Sequence, residues 1–441
     1  MNRQKQNGKL VAIITMFFLF AMIAFVTNLA APIGVIWKNQ PQMEGSNFLG
    51  MLGNMMNFLA YLFMGIPAGK LLTKIGYKKT ALVAIAVGLI GVLVQFLSGV
   101  VGVGHSLFGL PTNFYVYLLG ALIAGFSVCM LNTVVNPMLN LLGGGGKKGN
   151  ALLQTGGACN SLAATLTPML VGALIGTVTK NTAISDVNMV LFIAMAVFAV
   201  AFIILLFVPI QEPQEENKTA NIIFERSPWA FRHFVLGAIG IFIYVGVEIG
   251  IPSTLNFFLA DITGKGAGID PTKAAAIGGF VAGTYWFLML VGRLIGGAIG
   301  GKISAKTMLS AVSAVGIILV LLAMFISKTV TTSMPVFTGQ AFAIEQVPLS
   351  ALLLVLCGLC TSIMWGGIFN LATEGLGKYV KLGSGIFMMM VVGGGILPLV
   401  QNKIADLTTY MTSYWIIIAA LAYLLFYAII GSKNVNKDIP V

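Results

Sequence analysis

Glu248 is the only ionisable residue in the apolar run from Phe234 to Phe258, FVLGAIGIFIYVGVEIGIPSTLNFF, which Arg232 and His233 precede and Asp261 follows. A run of that length crosses a hydrocarbon core of about 30 Å, which puts the carboxylate near the bilayer midplane. A charge there costs several kcal/mol, so intramembrane acids generally face a cavity, a partner or a substrate. The chemistry expected of Glu248 is proton carriage or polar solute binding, against the plainer role of an acid hydrogen-bonded between packed helices. Four residues on, Pro252 with Ser253 and Thr254 is expected to break or kink the helix, as at transporter binding sites. Amides and indoles recur at mid-run positions elsewhere: Asn28, Asn132, Asn136, Gln154, Asn160, Asn256 and Asn370, with Trp286 and Trp365. Each amide could also serve only as an interhelical hydrogen bond. Their concentration in a few runs points to a shared polar site.

Other chemistries lack their residues. The chain has two histidines, His105 and His233, both at run ends where interface positions suit them, so no catalytic or metal cluster forms at one depth. The four cysteines, Cys129, Cys159, Cys357 and Cys360, all lie within apolar runs and read as packing residues. The glycine run Gly143 to Gly146 before Lys147 and Lys148 lacks the spacing, the hydroxyl and the preceding strand of a phosphate loop. No enzyme activity, metal or organic cofactor is expected, and nothing indicates nucleotide hydrolysis.

The elements that must hold these residues are transmembrane helices. With 58% hydrophobic and 9% charged residues over 441 positions, the chain cannot bury its apolar surface in one water-soluble core. Apolar runs predict twelve spans, beginning near Lys9, Asn47, Thr80, Asn113, Lys148, Asn188, His233, Thr272, Ser304, Pro348, Val380 and Met411. The first follows a short basic start and reads as an uncleaved span rather than a signal peptide. The net charge of +12 is not a nucleic-acid footprint, because 19 of the 25 Lys and Arg fall on one side of the runs. That asymmetry predicts cytoplasmic amino and carboxyl ends, with Lys38, Lys180, Lys265, Lys273, Lys328 and Lys403 outside. Arg293, at a span end, is expected to snorkel to the headgroups rather than reach Glu248. The polar segment 211–232 divides the chain into an amino-terminal bundle, 1–210, and a carboxyl-terminal bundle, 233–441. Residues 328–346 are expected to form a long external loop. The halves echo each other: Gly65, Gly69 and Lys79 recur at one constant offset as Gly292, Gly296 and Lys306, and Asn28-x-x-x-Pro32 matches Glu248-x-x-x-Pro252. The expected fold is therefore an all-α polytopic membrane protein of twelve transmembrane helices in two pseudo-symmetric six-helix bundles.

The segment Gly69-Lys-Leu-Leu-Thr73-Lys74-Ile-Gly76-Tyr-Lys78-Lys79 resembles the loop signature of the major facilitator superfamily, with Thr73 where that signature usually carries Asp. Gly65-Ile-Pro-Ala-Gly69, Asn132-Thr-Val-Val-Asn136-Pro137 and the run from Ser362 through Trp365 and Asn370 to Gly393-Gly-Gly395 are similar to its fucose:proton symporter-type branch. The resemblance implies an alternating-access carrier of a monosaccharide, hexose or deoxyhexose, in the bacterial cytoplasmic membrane. Proton-coupled members of that branch place acids where this chain has Ala31 and Asn132, which leaves Glu248 as the one central carboxylate.

A sugar site needs fixed amides or carboxylates and a flat aromatic for stacking. The expected substrate-binding set is Asn28, Asn132, Asn136, Gln154, Asn160, Glu248, Asn256, Trp286, Trp365 and Asn370, with Glu248 also the proton-coupling residue. Coupling by proton or sodium and uncoupled uniport both stay open at this stage. An exporter of small amphipathic compounds on the same fold is the alternative, drawing on 22 Met and 29 Phe. The partners expected are a small sugar and membrane lipid, with no nucleic acid, and the chain is expected to act as a monomer.

Overall fold

The computed structural model describes residues 2–143, 146–176, 178–179, 181–208, 226–299, 302–338 and 340–436; side chains 2–7, 140, 146–151, 153, 154, 297, 378, 381 and 382 are not described. Most of the segment 211–232 and the side chain of Gln154 therefore lie outside the described part. In lipid every backbone polar group must find a partner within the segment, so long apolar runs fold as helices.

The first half contains α1 (Asn2–Asn39), α2 (Asn47–Leu97), α3 (Thr112–Leu142), α4 (Gly146–Ile175) and α5 (Asn188–Phe207), with a short hairpin of β1 (Ser106–Leu107) and β2 (Leu110–Pro111) before α3. The second half begins with α6 (Arg232–Ala260), α7 (Ala274–Ile299) and α8 (Ala305–Phe325). Then come β3 (Thr331–Phe337), β4 (Phe342–Pro348), α9 (Leu349–Thr361), α10 (Met364–Thr373), α11 (Val380–Met390), α12 (Gly393–Leu407), α13 (Tyr410–Ser413) and α14 (Trp415–Phe426). At a rise of about 1.5 Å per residue, the 51 residues of α2 are far too long for one crossing. They hold two of the expected spans, divided at Gly76, whose φ of 82° and ψ of 175° are not helical. Spans ten, eleven and twelve are each built from successive pieces: α9 with α10, α11 with α12, and α13 with α14. Twelve crossings in two six-helix bundles result, as the runs and their spacing predicted.

Ser46 and Ser304 start α2 and α8 by accepting from the backbone N–H of Leu49 and Thr307 at 3.3 and 3.1 Å. The halves meet where small residues let backbones approach: a methyl at Gly279 of α7 would run into the Pro168 carbonyl of α4. Gly393, at the start of α12, has the Phe242 carbonyl of α6 where its Cβ would stand. The triple glycine is thus a close-packing site at a helix break.

Three expectations need correction. Pro252 does not break its helix, which runs on to Ala260. Residues 249–260 are all buried, and Tyr414 Oη donates to the Ile251 carbonyl at 3.1 Å while Asn402 donates to Thr254 Oγ at 3.0 Å. Neighbouring helices thus clamp the stretch that has lost a backbone bond. The segment 328–346 is not a plain loop, since most of it forms the antiparallel β3–β4 hairpin. His233 is fully buried, with its Nε2 at 2.9 Å from the Glu374 carbonyl, rather than at the interface.

The conformation at Gly76 is one essentially confined to glycine, at a cost of about 1–3 kcal/mol for other residues. Gly76→Ala is expected to lower the apparent melting temperature in detergent, whereas Gly69→Ala, where a Cβ meets nothing within 4 Å, leaves it unchanged or slightly raised. Equal behaviour of the two variants in a thermal melt would contradict this division of α2.

Candidate functional site

Glu248 projects from the middle of α6, whose surrounding residues are otherwise almost all buried, and its side chain keeps 13% exposure. Its partner is Arg293 of α7, with Nη2 at 3.6 Å from Oε1. The expectation that Arg293 snorkels to the headgroups is overturned. Its long side chain instead turns inward along the bundle, where Arg293 Nη1 also donates to the Gly157 carbonyl at 3.0 Å and Ser161 Oγ at 2.8 Å. Both acceptors belong to α4, so one guanidinium ties a carboxylate of the second half to a helix of the first. Two ionised groups that neutralise each other and share further hydrogen bonds are far less costly in a membrane interior than either alone. Tyr244, one turn earlier on the same face of α6, lies within the field of both charges. Its ring centroid is 6.2 Å from that of Trp365.

A narrow cavity with room for about one water lies one turn from Glu248 along α6, between the halves. Asn28, Ala31 and Pro32 of α1, Pro168 of α4, Pro252, Ser253 and Asn256 of α6, and Ala282 and Trp286 of α7 line it. Three of the expected residues, Asn28, Asn256 and Trp286, therefore come together. Asn256 is 2% exposed, and among the described residues its amide has no hydrogen-bond partner. An amide buried that deeply normally has one, so its donors and acceptor are available to a solute. Asn28 Nδ2 donates to its own helix at the Ala24 carbonyl, 2.9 Å away, and among the described residues its amide oxygen has no hydrogen-bond partner. An amide pair, the Ser253 hydroxyl and an indole face can hold adjacent hydroxyl groups on a small ring. A second cavity of similar volume lies wholly among α1, α2 and α3, where motion of one half against the other cannot open it.

The remaining expected residues stand apart from this lining. Asn132 Nδ2 donates to Tyr61 Oη at 2.7 Å, Asn136 Nδ2 to the Asn132 carbonyl at 3.1 Å, and Asn160 Nδ2 to the Phe20 carbonyl at 2.8 Å. Asn132 and Asn160 thus tie neighbouring helices, while Asn136 bonds back to its own helix. Trp365 is half-buried on α10, and Asn370, on the last turn of that helix, is exposed.

A second inter-half cluster was not foreseen. Lys38, expected in an external loop, is 1% exposed and donates to Asn47 Oδ1 and Tyr410 Oη, each at 2.8 Å. Its ammonium lies 3.7 Å from Asp261 Oδ2, which also accepts from Tyr410 Oη at 2.7 Å. Burial works to raise the Asp261 carboxyl, but Lys38 and the hydrogen bonds of Thr263 and Tyr410 together hold it below the usual carboxylate range. Asp406 of α12 accepts from Ser46 Oγ and from the backbone N–H of Asn47 and Phe48 at 2.7, 2.7 and 2.9 Å. A carboxylate from one half thus caps the positive end of a helix in the other. The cue in the sequence was Lys38 itself, a lone cation at the end of the apolar run Ile33 to Trp37, just before a short connection.

The Major Facilitator Superfamily model matches residues 11–399. The glucose/galactose transporter of Brucella abortus is 33% identical over 440 residues, which cover 98% of this chain and 96% of that protein. A putative glucose/galactose transporter of Helicobacter pylori is 29% identical over 98% of this chain and 99% of its own length. The L-fucose-proton symporter of Escherichia coli is 22% identical over 89% of this chain and 85% of its own. Among solved structures, a variant of the E. coli fucose:proton symporter overlays with a TM-score of 0.65 at 19% identity, covering 97% of this chain and all (100%) of that one. A nucleoside transporter gives 0.61 at 16% identity over 97% of this chain and 100% of its own. These low-identity overlays speak for the fold alone. With a family model over most of its length and a full-length relative at one-third identity, this multi-pass membrane chain belongs to the major facilitator superfamily.

Proposed function

We propose that the protein carries a monosaccharide, a hexose or deoxyhexose, across the bacterial cytoplasmic membrane by alternating access. The observation that carries this reading is the cavity between the halves, where the unpartnered Asn256 amide stands with Trp286, Ser253 and Asn28. Relatives named as glucose/galactose transporters and an L-fucose-proton symporter support the substrate class.

In this proposal the units 1–210 and 233–441 rock about the cavity, joined by 211–232, and the chain acts as a monomer. The charge asymmetry supports cytoplasmic termini, and with that orientation the Lys38 cluster closes the external end in the state seen here. Asn28, Asn256 and Trp286 contact sugar once the halves part and widen the cavity. Asn132 and Asn160 position helices. Glu248 is the coupling residue: a proton on its carboxylate removes the charge that Arg293 faces and frees the guanidinium to change its hold on Gly157 and Ser161. Coupling is thereby routed through Arg293, which joins Glu248 to α4 of the opposite half.

Losing one good polar contact to a bound hydroxyl costs about 1–3 kcal/mol. Asn256→Ala is therefore expected to weaken sugar binding about 5- to 100-fold in a titration of purified protein, with little change in melting temperature; unaltered affinity would count against the cavity as the site. In vesicles, wild type is expected to accumulate labelled hexose when a proton gradient is imposed. Glu248→Gln is expected to lose accumulation while keeping sugar exchange. Accumulation in Glu248→Gln equal to wild type, or wild-type accumulation driven by a sodium gradient and indifferent to pH, would contradict the proton role.

A further inference from the structure

We infer that the β3–β4 hairpin is an interfacial anchor that lays an apolar face into the lipid leaflet at the Lys38 end of the molecule. An antiparallel ribbon with one face in water alternates apolar residues inward with polar residues outward. This ribbon is inverted along β4. Phe342 and Ile344 point outward at 74% and 75% exposure, while Glu345 between them and Val347 turns inward to meet Lys273 Nζ at 2.6 Å, ahead of α7. The register pairs Phe337 with Phe342 and Pro335 with Ile344, so all four share the outer face toward the tip. The rings of Phe337 and Phe342 stand 5.2 Å apart. The inner face buries Met334 and Val336, which fixes the ribbon to the protein and leaves the outer face to the surroundings.

Depth identifies those surroundings as lipid. The Phe342 ring lies 6.0 Å from that of Phe280, which belongs to the second turn of α7, so the tip does not stand off into water. That helix is long and apolar enough to span, and its first turns are at the level of one membrane boundary. Phe287, farther along α7, is also exposed, as are Ile318 and Phe325 of α8, a second helix long and apolar enough to span. An interfacial position also satisfies the free strand edges, which headgroups and water can hydrogen-bond but hydrocarbon cannot.

The test is site-directed spin labelling at Ile344→Cys in a Cys159→Ser background, because Cys129, Cys357 and Cys360 are buried. The protein is reconstituted in vesicles of phosphatidylcholine and phosphatidylglycerol, and accessibility to oxygen is compared with accessibility to a water-soluble nickel chelate. Labels at Ile318, exposed on α8, and at Asn181, in a polar connection, give the reference values. The expected oxygen-to-nickel ratio at position 344 is several-fold above that at 181 and close to that at 318, and Phe342→Cys is expected to behave alike. A ratio matching position 181 places the face in water and overturns the inference. A label inaccessible to both reagents, with spin–spin broadening that grows with protein density, shows a second copy covering the face and overturns it equally.

Discussion

A carboxylate inside a membrane is held there only if something offsets its desolvation, and in this protein that is the Arg293 guanidinium 3.6 Å from Glu248. The pair sets demands on its neighbourhood. α6 and α7 must be adjacent at that depth, Arg293 must bend inward from near the end of its helix, and its remaining donors need acceptors. The acceptors are the Gly157 carbonyl and Ser161 hydroxyl of α4. An interaction that begins as a means of keeping a charge in the bilayer thus ends as a joint between the two halves of the molecule.

The Lys38 cluster is the second such joint, and it differs in kind. There a buried ammonium, two carboxylates, a tyrosine and a helix start form a closed polar network at one end of the structure. The cavity with Asn28, Asn256 and Trp286 is also formed between the halves. Close glycine contacts such as Gly279 on Pro168 allow the helices around that cavity to pack tightly. Both joints are polar contacts between the halves that could change without unpacking their apolar bodies, as the rocking proposed above requires.

The fold was largely legible in the sequence because span length and charge asymmetry are imposed by the bilayer, whatever the helix contacts turn out to be. The site was legible in part. Glu248, Asn256 and Trp286 stood out as polar or aromatic groups at mid-run, but only packing decides that Asn256 is left unpartnered while Asn132 is engaged by Tyr61. Arg293 was misplaced because position along a helix does not reveal which way a long side chain points. The burial of Lys38 was not foreseen, because a residue next to a connection looks solvated until its neighbours close over it. Pro252 suggested a break that tertiary contacts from Tyr414 and Asn402 suppress. The inverted alternation of Phe342, Ile344 and Glu345 was present in the sequence, yet it has meaning only once β3 and β4 are paired.

The most direct test of the central claim, that the Glu248–Arg293 pair is a functional joint and not a packing accident, is a double-mutant cycle read by both melting temperature and sugar uptake. Arg293→Met alone leaves an uncompensated buried acid and is expected to destabilise by about 3–5 kcal/mol. Combining it with Glu248→Leu is expected to restore most of the stability while transport stays lost. Recovery of uptake together with stability in the double variant would show that the pair only fills space, and would contradict the account.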